Sequence, residues 1–317
     1  MVIDQRTGDT PQGQPCRNVG VLFASIDAAR RRRSYTVMLG CCLNVGNCLF
    51  CNRNGPYTRA EHIIPEALGN DDLVLQGKVC DACNQFFGSK IENFVLTKSP
   101  LAFWRTYLGI RKKHAELPHV DLSQPKQARG RLPSVHDLHD NLVGFTCHHD
   151  YSVSVDIDDE QIVREILDGT RTKFTFVFTP LVLSMMGRFF CKVGMELLCL
   201  AQAERAYSDV FAPARAFARF GEFHGLWPIF HFQSGSLRDL KKRSFDSEGL
   251  LEEVCCYAYR LLDLGERYVL STLTIGTDTW VIALNDPFPT PDVRAAFPGK
   301  ELNLIWYSDE ELGGGGR

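Results

Sequence analysis

A chain of 317 residues with 44% apolar and 23% charged side chains is long enough to bury two cores, and no run approaches the roughly 18 consecutive apolar residues of a membrane-spanning helix. A net charge of −3 excludes a protein that coats nucleic acid by charge alone. The charge is uneven, with 15 Lys and Arg against 10 Asp and Glu in residues 1–120 and 20 against 28 in the remainder.

The first thirty residues lack the basic, then apolar, then small-residue order of a secretory signal, so the cytoplasm is the expected compartment. There, twelve cysteines need a role other than disulfides. Residues 1–35 are polar, cluster Gly, Pro and Gln, and read as a disordered arm. The four arginines Arg30 to Arg33 in it are either a phosphate-seeking segment or plain solvated charge. A short strand is expected at Ser34 to Leu39, and residues 36–110 form a small ligand-rich domain. Residues 111–140, rich in Pro, His and charge, read as a linker.

Residues 141–312 then form a larger α+β domain. Alternation in Tyr151 to Ile157 and in Thr172 to Thr179 predicts two strands that pair with each other. Pro180 opens a long helix whose apolar positions run through Leu181, Met185, Phe189, Val193, Leu197 and Leu200. Strand-like runs recur at Glu253 to Leu264, Tyr268 to Ile275 and Thr279 to Leu284, the last two joined by Gly276, Thr277 and Asp278. Residues 313–317 are a flexible glycine tail. The fold class expected is α+β.

Cys48 and Cys51, then Cys80 and Cys83, are two C-x2-C knuckles with 28 residues between them. Each knuckle turn aims two thiolates at one ion, so the spacing predicts a closed, tetrahedral Zn²⁺ site and leaves room for a functional loop inside it. A dithiol redox motif is the competing reading of one pair, but no thioredoxin-like context surrounds either. Cys41 and Cys42 read as buried strand residues, with substitution for one ligand as the alternative; Cys147, Cys191, Cys199, Cys255 and Cys256 read as core.

Inside the loop lie Glu61-His62-Ile63-Ile64-Pro65 and Leu68-Gly69-Asn70, and Asn84 follows Cys83 at once. Neighbouring residues on a strand point to opposite faces, which suits two tasks: a carboxylate to hold a hard cation and an imidazole to take a proton from water. With Gly88, this order of motifs resembles the His-Asn-His (HNH) endonuclease family, in its zinc-knuckle branch, over roughly residues 45–96. The resemblance implies a zinc-stapled ββα-metal nuclease domain, with residues 81–96 as its helix and Phe86, Phe87, Ile91, Phe94 and Val95 supplying the helix's apolar positions. It implies His62 as general base, Glu61 and Asn84 as ligands of one catalytic Mg²⁺, Mn²⁺ or other divalent cation, and the four cysteines as zinc ligands. The loop-bracing asparagine of the family falls to Asn70, with Asp72 as the other candidate. The function expected is hydrolysis of nucleic-acid phosphodiesters, DNA foremost, without a covalent intermediate; restriction, defence and mobile elements all use such chemistry.

Arg59, Lys78, Lys90 and Lys98 are candidate phosphate contacts. The cluster Arg111 to His114 is either a backbone-tracking patch or linker charge, and His148-His149-Asp150 reads as a loop and not a second metal site. No membrane partner is expected, and the acidic C-terminal domain is left to bind a ligand, a partner protein or a second copy. The alternative function is a non-catalytic zinc module that binds nucleic acid or protein, with Glu61 and His62 structural.

Overall fold

Closing the 28-residue loop between the cysteine pairs leaves little length for regular structure. The computed structural model describes residues 24–27, 46–70, 73–107, 119–121, 142–147, 153–157, 160–170, 179–222, 226–233, 255–264, 268–285 and 290–305. Its first strand, β1 (Ala24–Asp27), falls in the stretch read as a disordered arm and pairs antiparallel with residues of 255–259. Four residues of mixed polarity carry no usable periodicity, so only the edge that recruits them reveals the strand.

Within the loop the chain forms two short strands, β2 (Glu61–His62) and β3 (Val74–Leu75), with Glu61 opposite Leu75 and His62 opposite Val74. After Pro65 one turn of 3-10 helix (Glu66–Leu68) ends at Gly69, whose φ of 84° is the left-handed conformation that glycine adopts without cost. Cys80 then precedes α1 (Asp81–Phe86), which runs through a π-helical segment (Phe87–Glu92) into α2 (Asn93–Lys98). Phe87, Ile91 and Val95, four residues apart, are fully buried along this run, and Phe86 and Phe94 pack partly buried beside them. Ser99 breaks the helix and caps the next, α3 (Pro100–Tyr107), its hydroxyl accepting from Leu101 N at 3.2 Å with Pro100 in the first helical position.

Strands β4 (His119–Asp121), β5 (Leu142–Cys147) and β6 (Val153–Ile157) form a three-stranded antiparallel sheet, followed by α4 (Glu160–Leu167). Several expectations lie outside the described residues: the strand at Ser34 to Leu39, residues 172–178 of the strand expected to pair with β6, and the linker cluster Arg111 to His114. So do Cys41, Cys42, Asp72, His148, His149 and Asp150. Thr179 caps the long helix α5 (Pro180–Ala201), accepting from Val182 N at 3.2 Å. A 22-residue helix buried on nearly every side accounts for an apolar pattern wider than one stripe. Then come α6 (Ala203–Ala206), α7 (Ala212–Phe220), β7 (Ile229–Gln233), β8 (Cys255–Asp263), β9 (Val269–Ile275), β10 (Asp278–Ala283), a helix at Thr290–Ala296 and β11 (Asn303–Ile305).

The second sheet is antiparallel, in the order β1-β8-β9-β10-β7-β11. α5 covers one face; Val293 and Phe297 join Phe230, Phe232 and Leu270 in a cluster on the other. That two-sided cover explains why β9 is buried at almost every position, Ser271 and Thr272 included. Gly194 lets α5 approach closely, because a Cβ there would stand 2.7 Å from Leu284 and 2.8 Å from Ser271. On its other side α5 packs against α2 and the π segment, so one apolar cluster extends from Cys48 through Phe87 and Phe189 to Leu284. The fold is α+β, and no helix among the described residues is long and apolar enough to cross a membrane.

Candidate active site and metal centre

The Sγ atoms of Cys48, Cys51, Cys80 and Cys83 lie within 4.8 Å of one another, a spacing that lets one metal ion bind all four. The first knuckle turns through Asn52 at φ 54°, with Asn52 N on Cys48 O at 2.9 Å, and Leu49 N on Lys78 O ties it to the second. Cys80 N donates to Cys48 Sγ at 3.3 Å, and Arg219 Nε, from α7, donates to Cys83 Sγ at 3.2 Å while its guanidinium lies over Phe86. A hydrogen bond from Cys83 holds the Cys48 thiol down to about 4 and pushes Cys83 up, and burial raises Cys80, so one thiolate is favoured before a cation arrives. Cys191 and Cys199 are buried in the core, as their apolar surroundings suggested. Side chains of Cys147, Cys255 and Cys256 lie outside the described residues.

Beside this cluster a cavity of about 550 Å³ is walled by Glu61, His62, Glu66, Asn84, Glu92 and Arg105, with Ala60, Pro65, Gly88 and Thr97 among the rest. The catalytic base and both metal ligands read from the motif therefore share one cavity. His62, half-buried at the end of β2, has Nε2 3.4 Å from Glu66 Oε1, and its Nδ1 has no hydrogen-bond partner among the described residues. Asn84 donates from Nδ2 to Ala60 O at 3.0 Å, so its amide is fixed with Oδ1 as the acceptor end. The π segment brings Gly88 and Glu92 into the cavity wall.

Asn70 is fully buried and spans the loop that follows His62. Its Nδ2 donates to Ile64 O at 2.5 Å and Leu73 O at 3.0 Å, and its Oδ1 accepts from Leu73 N at 2.9 Å. Ile63 N also bonds Leu73 O at 3.0 Å. Backbone on both sides of the turn is thereby fastened to one side chain, which holds the His62 end of β2 in place.

Glu61 differs from the expectation of a carboxylate free for metal. It is 3% exposed, and Oε1 stands 2.7 Å from Nζ of Lys192, a fully buried lysine of α5. The same Nζ reaches Glu92 Oε1 at 2.9 Å, Glu196 Oε2 at 3.1 Å, His62 O at 2.7 Å and Ile63 O at 3.2 Å. Burial alone would strip the Lys192 proton, but Glu196, Glu61 and Glu92 outweigh it and hold the ammonium well above its ordinary value. Burial raises the Glu61 carboxyl against the pull of Lys192, and raises Glu196 much further. The arrangement is one ammonium shared by three carboxyl groups, of which Glu196 is held furthest towards its protonated form. Glu61 Oε2 is sealed from solvent with no hydrogen-bond partner among the described residues, an orphaned oxygen that suits a cation at the cavity.

None of the expected phosphate contacts lines the cavity: Arg59 and Lys90 are exposed, Lys98 is half-buried, and Lys78 is 7% exposed with its carbonyl in the knuckle. Lys192 and Arg105 were missed. A charge at Lys192 and another at Glu196, four apart in the buried part of a largely apolar helix, is the signal that marks the first.

Residues 48–98 match the family described as HNH endonuclease. The chain has no match among curated proteins and none among solved structures.

Proposed function

We propose that the protein, whose residues 48–98 match the HNH endonuclease family, is a metal-dependent endonuclease that hydrolyses nucleic-acid phosphodiesters, with DNA as its substrate. The observation that carries this reading is the convergence of His62, Glu61 and Asn84 on one cavity beside a four-thiolate cluster. Cys48, Cys51, Cys80 and Cys83 hold Zn²⁺, whose closed shell staples the loop and takes no part in the reaction. Glu61 through Oε2 and Asn84 through Oδ1 would hold one Mg²⁺ or Mn²⁺. Such a cation supplies charge stabilisation at the phosphate oxygens and the leaving 3′ oxygen.

His62 does the proton work. With Nε2 turned to Glu66, Nδ1 takes a proton from water as the water oxygen bonds to phosphorus and the bond to the 3′ oxygen breaks. No protein nucleophile is needed. Asn70 fixes the loop behind His62, and Lys192 fixes Glu61 and the carbonyls of His62 and Ile63 from the other side. In this reading residues 36–110 carry the chemistry, and residues 141–312 supply Lys192 and remain available to a ligand, a partner protein or a second copy.

The ion pair of Glu61 with Lys192 favours one other reading, a zinc module that binds nucleic acid without cutting it. Supercoiled plasmid incubated with Mg²⁺ or Mn²⁺ separates the two. The parent is expected to nick or linearise it and His62→Ala to leave it intact. Equal cleavage by both removes His62 from the role of base, and binding without cleavage by the parent selects the second reading.

A further inference from the structure

Half-buried arginines among the described residues are given acceptors. Arg188 donates to Ala218 O and Arg219 O, Arg215 to Ala206 O and Ser208 O, and half-buried Arg205 pairs with Asp263. Arg105 is the exception. It is 6% exposed, its Nε is sealed without a hydrogen-bond partner, and among the described residues no carboxylate pairs with it. Glu92, which shares the cavity wall, is committed to Lys192 at 2.9 Å.

The position is rigid as well as unpaired among the described residues. Ser99 caps α3, Trp104 Nε1 donates to Asp278 Oδ2 at 2.6 Å, Thr106 Oγ1 to Ala102 O at 3.0 Å, and Leu101, Ala102 and Thr106 are fully buried. The neighbours on both sides are therefore anchored while Arg105 lines the cavity that holds Glu61, His62 and Asn84. Burial also drags its guanidinium below the usual arginine value, with no anion among the described residues to offset it. An uncompensated buried cation is costly unless an anion arrives, and a planar guanidinium matches the paired oxygens of a phosphodiester.

Resting on the nuclease reading of the cavity, we propose that Arg105, outside the family-matched segment, binds a backbone phosphate of the nucleic-acid strand presented to His62. It is preorganised by α3 and needs no rearrangement of the loop. Its contact supplies position and affinity at that phosphate, and no base preference.

The test separates binding from cleavage. Fluorescein-labelled single-stranded and duplex oligonucleotides are titrated without added Mg²⁺ or Mn²⁺ across a salt series with the zinc-loaded parent, Arg105→Met and Arg105→Lys, after thermal melts establish that each variant folds. Arg105→Met is expected to bind roughly tenfold more weakly and to lower the slope of log Kd against log salt by about one charge contact. Arg105→Lys should keep the slope and lose affinity, because a point charge replaces a fork; it remains the deciding arm if the Met variant does not fold. Parent-like affinity and slope in Arg105→Met, parent-like affinity in Arg105→Lys, or no oligonucleotide binding by the parent overturns the proposal. If Arg105→Met behaves like the parent while only His62→Ala abolishes plasmid cleavage, Arg105 is dismissed and the nuclease reading stands. A lowered slope with no cleavage by the parent in Mg²⁺ or Mn²⁺ leaves Arg105 as the phosphate contact and removes the nuclease.

Discussion

Replacing Lys192 by methionine keeps the length of the side chain and deletes the ammonium on which two parts of the molecule converge. Five oxygens then lose their cation: one each from Glu61, Glu92 and Glu196, and the carbonyls of His62 and Ile63. The Glu61 and Glu196 side chains are 4% and 0% exposed, so water cannot replace the lost partner. Breaking a buried ion pair from one side costs about 3–5 kcal/mol, and at about 2–4 °C per kcal/mol for a large domain the melting midpoint should fall by roughly 10 °C. Urea or thermal unfolding of Lys192→Met against the parent measures it, with Lys192→Met/Glu61→Gln/Glu92→Gln alongside. The triple variant removes the unpaired charges and should recover more than half of the loss. A loss below about 0.5 kcal/mol in the single variant, within the range of a surface change, refutes the view that Lys192 neutralises this cluster.

Two further outcomes follow from neighbouring residues. Asn70→Ala leaves Leu73 N and the carbonyls of Ile64 and Leu73 without their side-chain partner in a buried turn; unsatisfied groups of this kind cost about 1–3 kcal/mol each, so about 3 kcal/mol should be lost in urea unfolding and plasmid cleavage with it. Glu196 has a folded-state pKa well above its ordinary 4.5, so the folded protein binds a proton that the unfolded chain releases. Stability from this group is therefore present below about pH 4.5 and declines as pH rises towards the folded value. Relative to the parent, Glu196→Gln should gain stability progressively above that point, measured by unfolding across a pH series; parallel pH profiles would contradict the assignment.

The four-thiolate cluster and the convergence of His62, Glu61 and Asn84 were legible because their signals are local: two C-x2-C pairs and a motif contained between and just after them. α5, β8, β9 and β10 were legible for a related reason, since length, a proline start or β-branched density marks each one. α4 and α7 were not. Each carries an apolar stripe, but over only eight residues in α4 and nine in α7, about two turns, too short a run for a helical period to stand out in the sequence. Lys192 and Arg105 were hidden by distance. Lys192 meets His62 across 130 residues of chain, and Arg105 sits in an apolar octet that reads simply as a core helix. Their roles depend on what is absent around them, other acceptors in one case and water in the other, and a linear reading does not show absence.

The reach of α5 into the metal-binding segment separates owning the motif from owning a finished site. Residues 48–98 emerge during synthesis long before Lys192, and until that lysine arrives Glu61 and Glu92 have no shared cation and the apolar side of Phe87, Ile91 and Val95 lacks its cover. A prematurely terminated chain thus carries every signature residue in an unassembled state. Under the nuclease reading, where a half-made product could still damage the genome that encodes it, translation through to the far helix acts as a safety catch.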